Sequence, residues 1–286
     1  MALLELFGGE LEKIRLQKLL FLFCQKQEKP EYEFVPYKYG CFSYSATADL
    51  SAMARKGLLS ETDTIFAKTA STNYFMSLKP DDQLALRKIK AAYGSMSGNA
   101  LMKHTYQKYP YWAINSVKAK SILNDGEYAL VEAARPHGQS IILFTIGYEG
   151  NSLENYLNRL LKNDVKALID VRNNPLSMKF GFGKTLLKRY CEYLGIAYFH
   201  FPDVGITSEY RQELKTQADY DRLFEIYRKT NIPKTVKTQS NILDLLKKYE
   251  RVALTCFEAQ PCQCHRSHLA DAIKALPGFD YEIRHI

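Results

Sequence analysis

Apolar residues recur at helical spacing in the first half of the chain and as continuous runs alternating with helical stretches in the second. The change falls near Arg135-Pro-His-Gly-Gln-Ser140, which reads as a linker. Over residues 10–27, Leu11, Ile14, Leu16, Leu19, Leu20 and Phe23 predict one helix that ends before Pro30. Residues 34–39 read as a short aromatic turn or strand. Residues 45–56 predict a second helix, packed through Ala48, Leu50, Met53 and Ala54 and stopped by Gly57. The Thr-rich stretch 58–78 predicts a two-stranded wing, so the order of elements is that of a winged helix. Residues 81–93 and 99–106 predict further helices, with Tyr109-Pro-Tyr-Trp112 packed between them.

Beyond the linker, apolar strands are predicted at 141–146, 167–171, 196–201, 252–257 and 281–285. Helices fall between them at 153–161, 185–194, 220–229, 240–249 and 267–276. Strands separated by helices of this length argue for βαβ units. The fold class is therefore α/β: a Rossmann-like, mainly parallel sheet with helices on both faces over residues 141–286, preceded by a mostly helical, winged-helix-like domain over residues 1–135.

Composition narrows this only slightly. A chain of 286 residues exceeds what one domain usually needs, which agrees with the two periodic regimes. The net charge of +8 divides evenly about Gln139, about +4 to each half, so neither half is a basic tail. A positive, Tyr-rich surface suits phosphate contacts, but many enzymes with no nucleic-acid role carry similar charge, so the expectation of DNA as partner rests on the chain's motifs far more than on charge. Six cysteines without an apolar leader or a membrane-length apolar run suggest reduced thiols in a cytoplasmic protein, with no membrane partner.

Four of the predicted strands of the second half deliver polar residues at their ends: Gly147-Tyr148-Glu149, Asp170-Val-Arg172 with Pro175 and Ser177, His200 with Asp203, and Cys256-Phe-Glu258 running on to Cys264-His265-Arg266. An open parallel sheet binds ligands outside its carboxyl ends, so these groups are expected to share one rim. Asp170 and Glu258 are the candidate catalytic carboxylates. Tyr148, Arg172, Ser177, Lys179, Asp203, Cys256, His265 and Arg266 are the candidate substrate-binding residues.

The individual roles carry alternatives. Arg172 would grip phosphate with Asp170 as base, or the two would form a structural ion pair. Glu258 would orient water, or be a rim charge held by Arg266. Arg266, in the first turn of a helix, is assigned to phosphate. Ser177, Lys179, Phe180, Phe182 and Lys184 would make a basic loop that stacks bases, or a solvated loop.

Several further chemistries are disfavoured. Gly181-Phe-Gly-Lys184-Thr185 is no phosphate-binding P-loop, because position 178 is Met where that motif needs Gly. Cys256, Cys262, Cys264, His265 and His268 hold enough soft ligands for zinc but lack regular metal-ligand spacing; they read first as buried or helix-start thiols, with neither metal nor cofactor expected, and zinc or a nucleophilic Cys256 stay as alternatives. A phosphatase Cys-x5-Arg is absent, since position 262 is Cys.

These motifs carry a resemblance. Thr145-Ile-Gly-Tyr-Glu-Gly150, Asp170-Val-Arg172 with Pro175 and Ser177, and Cys256-Phe-Glu258 through Cys264-His265-Arg266 resemble the domain-of-unknown-function 488 family, from about Ile141 to the closing Ile283-Arg-His-Ile286. The resemblance implies a Rossmann-like domain acting on nucleic acids or modified bases. Many relatives carry His at the position of Tyr148 and an aromatic at that of Cys262. In the front half, Leu16-Gln-Lys-Leu-Leu-Phe-Leu-Phe23, Tyr37-Lys-Tyr-Gly40 and Ala54-Arg-Lys-Gly-Leu-Leu59 resemble the Panacea or SocA-like domain. That implies protein or DNA binding without catalysis, in a setting of defence genes; the function expected of the whole chain belongs to phage defence or repair.

The expected function is a glycosylase-like hydrolase that cleaves the N-glycosidic bond of a modified base in DNA. The alternatives are a non-catalytic sensor of a nucleotide-like ligand, or a nuclease holding a divalent ion on Asp170, Asp203 and Glu258.

Overall fold

The computed structural model describes residues 1–207, 214 and 216–286, and divides the chain into two compact units, residues 1–135 and 136–286.

The first unit contains α1 (Ala2–Leu6), β1 (Glu10–Glu12), α2 (Lys13–Cys24), β2 (Val35–Tyr37), β3 (Gly40–Phe42), α3 (Tyr44–Arg55), β4 (Leu59–Glu61) and β5 (Ile65–Lys68). Four helices follow: α4 (Pro80–Tyr93), α5 (Gly98–Lys108), α6 (Ala119–Ile122) and α7 (Asp125–Ala133). The helix expected over 10–27 starts three residues late. Glu10-Leu-Glu12 alternates exposed, buried, exposed and pairs antiparallel with β5, Leu11 opposite Phe66. Leu11 satisfies both periods, which is why the sequence hides the strand. The ribbon expected over 58–78 is the β4–β5 hairpin, and β5 joins β1 to β4 in a three-stranded sheet. Its pairing stops at Lys68 rather than running on towards Leu78. Gly57, at φ +70°, turns the chain out of α3.

The second unit holds β6 (Ile142–Gly147), α8 (Leu153–Lys162), β7 (Ala167–Asp170), α9 (Lys184–Tyr193), β8 (Ala197–His200), α10 (Gln217–Thr230), α11 (Val236–Tyr249), β9 (Arg251–Cys256), α12 (His265–Lys274) and β10 (Glu282–His285). Its five strands lie in the order β10-β6-β9-β7-β8 and every pairing is parallel. β6, β7 and β9 are buried along their whole length, as a sheet covered on both faces requires.

One face carries α11 and α12, with Ile242, Leu246, Leu269 and Ile273 packed on Leu143, Val252 and Leu254. Thr255, next along β9, points the opposite way and accepts a hydrogen bond from the hydroxyl of Tyr156 on α8, at 2.7 Å. α8 therefore covers the other face. Burying Leu153, Leu157 and Leu160 contributes roughly 1.5–3 kcal/mol per side chain to that packing. The carboxyl ends of β6, β9 and β7 thus lie side by side at the middle of the sheet.

Candidate functional site

Gly147 ends β6 where the segment after β9 crosses it. A Cβ at this position would sit 1.8 Å from the carbonyl oxygen of Glu258, so only glycine admits the crossing. The crossing is tied by backbone bonds from the N–H groups of Tyr148 and Glu149 to the carbonyl of Phe257, at 3.1 and 2.9 Å. The carboxylate of Glu149 accepts from the N–H of Ala259 at 2.9 Å. Arg266 completes the clamp by donating to the carbonyls of Glu258 and Ala259, at 2.5 and 3.0 Å. Arg266 is buried, and both terminal nitrogens are spent on this loop. The phosphate role expected for it is corrected: the guanidinium positions the backbone beneath Glu258.

Asp170 and Arg172 form the structural alternative. Arg172 Nε and Nη2 donate to the two carboxylate oxygens at 2.8 and 2.5 Å, and the Arg172 N–H adds a third bond at 3.1 Å. Tyr198 donates its hydroxyl to Oδ2 at 2.6 Å. The remaining Arg172 nitrogen, Nη1, donates to the hydroxyl of Tyr148 and the carbonyl of Phe182, each at 2.9 Å. Asp170 is 0% exposed and Arg172 4%. Burial works against the guanidinium charge, but the Asp170 carboxylate outweighs it and holds Arg172 more firmly protonated than usual. With these partners Asp170 has no oxygen for a water or an ion, and Arg172 no fork for phosphate. Both expectations are corrected.

Tyr148 is also enclosed. Its ring stacks on Phe182 at 4.4 Å between centroids and 11° between planes, and meets the edge of Phe257 at 5.3 Å. A flipped base cannot take that face. Phe182, expected on an accessible loop, is fully buried.

The rest of the loop after β7 behaves differently. Leu176, Met178 and Phe180 are exposed, and Lys179 bonds back to the carbonyl of Tyr148 at 3.0 Å. Ser177 accepts from the N–H of Lys179 at 3.2 Å, so it shapes the turn. Lys184 reaches Nδ1 of His200 at 2.9 Å.

Asp203 lies two strands away from β9, in the turn after β8, where its carboxylate takes the hydroxyl of Thr238. Asp170, Asp203 and Glu258 are therefore not brought together as an ion site, the geometry that the nuclease alternative needs.

Behind the rim, Cys256, the last residue of β9, donates its thiol to Oε2 of Glu258 at 3.2 Å. His265, the first residue of α12, directs Nε2 at the carbonyl of Val171, at 3.0 Å. A carbonyl only accepts, so Nε2 carries the proton and the lone pair of a neutral ring is on Nδ1. Nδ1 faces Cys256 Sγ at 3.7 Å and Cys264 Sγ at 4.0 Å. All three residues are buried, whereas Cys262 is exposed. Burial, with Cys256 beside it, pushes the Cys264 thiol well above its ordinary value. The sequence names all three among five soft ligands but, for want of regular spacing, does not separate them from Cys262 and His268: one comes from a strand end and two from a helix start.

The sequence also gave no sign of Lys18 in the first unit, whose buried ammonium donates to the carbonyl of Cys41 at 2.9 Å. It borders a cavity of about 160 Å³ that is lined by Ile14, Tyr37, Leu50 and Phe66.

Comparison with known families places residues 152–273 in a match to the family described as Domain of unknown function DUF488. The span holds Asp170, Arg172, Cys256, Glu258, Cys264, His265 and Arg266, and begins just after the Gly147-Tyr148-Glu149 turn. No curated protein and no solved structure matches the chain. No helix among the described residues is long and apolar enough to cross a membrane.

Proposed function

We propose that the second unit is a nucleic-acid-processing hydrolase that cleaves the N-glycosidic bond of a modified base in DNA, with Glu258 as its working carboxylate. The carrying observation is the loop at the sheet's carboxyl end. Leu176, Met178 and Phe180 are 80%, 104% and 42% exposed, interleaved with Lys179 and followed by Lys184. Large apolar side chains held in water suit insertion between base steps, while Lys184, exposed at the end of the loop, can turn to phosphate and Lys179 stays tied to the Tyr148 carbonyl. Phe257, 41% exposed and adjacent to Glu258, offers the stacking surface that Tyr148 cannot.

Extrusion of a base would bring its sugar to the rim. Loss of the base develops positive charge on that sugar. Glu258 would stabilise the charge and orient the attacking water, a contribution of roughly 10²–10⁴ in rate. Asp170, Arg172 and Arg266 hold the frame on which Glu258 stands.

The first unit is proposed to hold DNA or a protein partner, the role implied by its Panacea or SocA-like resemblance. The α2–α3 pair followed by the β4–β5 hairpin supports a winged-helix reading. A setting in phage defence or repair belongs to the same proposal.

Incubation of the full chain with DNA carrying a panel of modified bases, followed by mild alkali, tests the activity. Strand opening at the modified position supports it. No opening with any member of the panel removes it.

A further inference from the structure

We infer that Cys256 Sγ, Cys264 Sγ and His265 Nδ1 bind one zinc ion, with the fourth tetrahedral position left to water on the Glu258 side. The three ligand atoms lie within 4.8 Å of one another, and the two sulfur-to-nitrogen distances are 3.7 and 4.0 Å. Tetrahedral zinc with ordinary Zn–S and Zn–N bonds sets neighbouring ligand atoms about 3.5–3.8 Å apart, so contraction by a few tenths of an ångström brings both sulfur–nitrogen pairs into range, and the two sulfurs close from within 4.8 Å.

The imidazole is prepared for the ion. Its Nε2–H is anchored on the carbonyl of Val171 at 3.0 Å, which fixes the tautomer and aims the Nδ1 lone pair at both thiols. A backbone carbonyl on the far nitrogen is the usual outer support of a metal-bound histidine.

Charge balance favours occupancy in so dry a place. Binding releases one proton from each thiol to solvent, and two thiolates with a neutral imidazole cancel the two charges of the ion. Two sulfurs and one nitrogen suit zinc rather than magnesium or calcium, which take oxygen ligands. Three protein ligands with an open position is the arrangement of catalytic rather than structural zinc. The Glu258 carboxylate, 3.2 Å from Cys256 Sγ, lies where it can accept a proton from such a water. The site stands independently of the substrate proposed above.

Zinc content and cobalt absorption of the full chain test it. The wild type should retain about one zinc per chain after dialysis against zinc-free buffer. Cobalt loaded in its place should give thiolate-to-metal charge-transfer absorption, reduced by roughly half in Cys256→Ser or Cys264→Ser, where one of two thiolates is lost. Cys262→Ser, at an exposed position outside the cluster, should match the wild type. Absence of both zinc and the charge-transfer band from the folded wild type overturns the inference, as does a band lost only in Cys262→Ser. The wild-type result decides even where a buried-thiol variant fails to fold. Because the readout is metal binding, a negative glycosylase assay leaves it untouched.

Discussion

Asp170 and Arg172 face each other through two hydrogen bonds, 2.8 Å from Nε to Oδ1 and 2.5 Å from Nη2 to Oδ2, inside the second unit. Two charges so enclosed hold each other and the chain that carries them. They tie the end of β7 to Tyr148 and, through the carbonyl of Phe182, to the following loop.

Removing one partner should therefore act on stability before chemistry. Asp170→Asn leaves a buried guanidinium without its counter-charge, and a cost of about 3–5 kcal/mol is expected. Urea denaturation followed by circular dichroism measures it. A loss below about 1 kcal/mol would mean that the pair is not the frame described here.

Gly147→Ala places a methyl group 1.8 Å from the Glu258 carbonyl oxygen, backbone against side chain with no flexible end to give way. The crossing must move, weakening the bonds from Tyr148 and Glu149 to Phe257. A loss of about 1–3 kcal/mol is expected, with a lowered melting temperature. Ala at Gly183, where a Cβ would meet nothing within 4 Å, serves as the matched control and should leave melting unchanged.

Buried acids make the protein sensitive to alkali. Burial pushes Cys24 up to about 11 from an ordinary 9.0, and raises Cys41 and Cys191 as well. Below about pH 9 these thiols are protonated in both states and their contribution is complete. Above it the unfolded chain releases protons that the folded chain keeps, so stability falls as pH rises towards the folded values. Each thiol in its window removes about 1.4 kcal/mol per pH unit. Lys18, whose pKa burial lowers, has the opposite sign, but it is one group against three. Urea midpoints should be flat from pH 7 to 8 and decline above about 9. Midpoints unchanged to pH 10 would contradict this.

The sheet was legible because β6, β7 and β9 are buried on both faces and so appear as unbroken apolar runs. Boundaries moved by a residue or two where strands are entered by a polar residue that packs. Arg251, for instance, begins β9 because its guanidinium is bonded to the carbonyls of Asn163 and Ser140. α7 was readable and missed: Asn124 and Glu127 form a capping box.

The gathering of polar groups at one end of the sheet was legible too, since parallel strands present their carboxyl ends together. What each group does there was not. Asp-x-Arg on a strand end suits a phosphate grip and an internal ion pair equally well, and only burial decides. Phe182, one apolar residue in a polar loop, carries no period from which its burial could be read.

The most direct measurement compares abasic-site formation by wild type and Glu258→Gln on a responsive modified DNA, with melting temperatures determined on the same samples. Glu258 stands on a loop held by Gly147 and Arg266, so the amide should melt as the wild type does and lose at least about 100-fold in rate. A Glu258→Gln protein that melts normally and retains wild-type rate would contradict the assignment of this carboxylate as the working group.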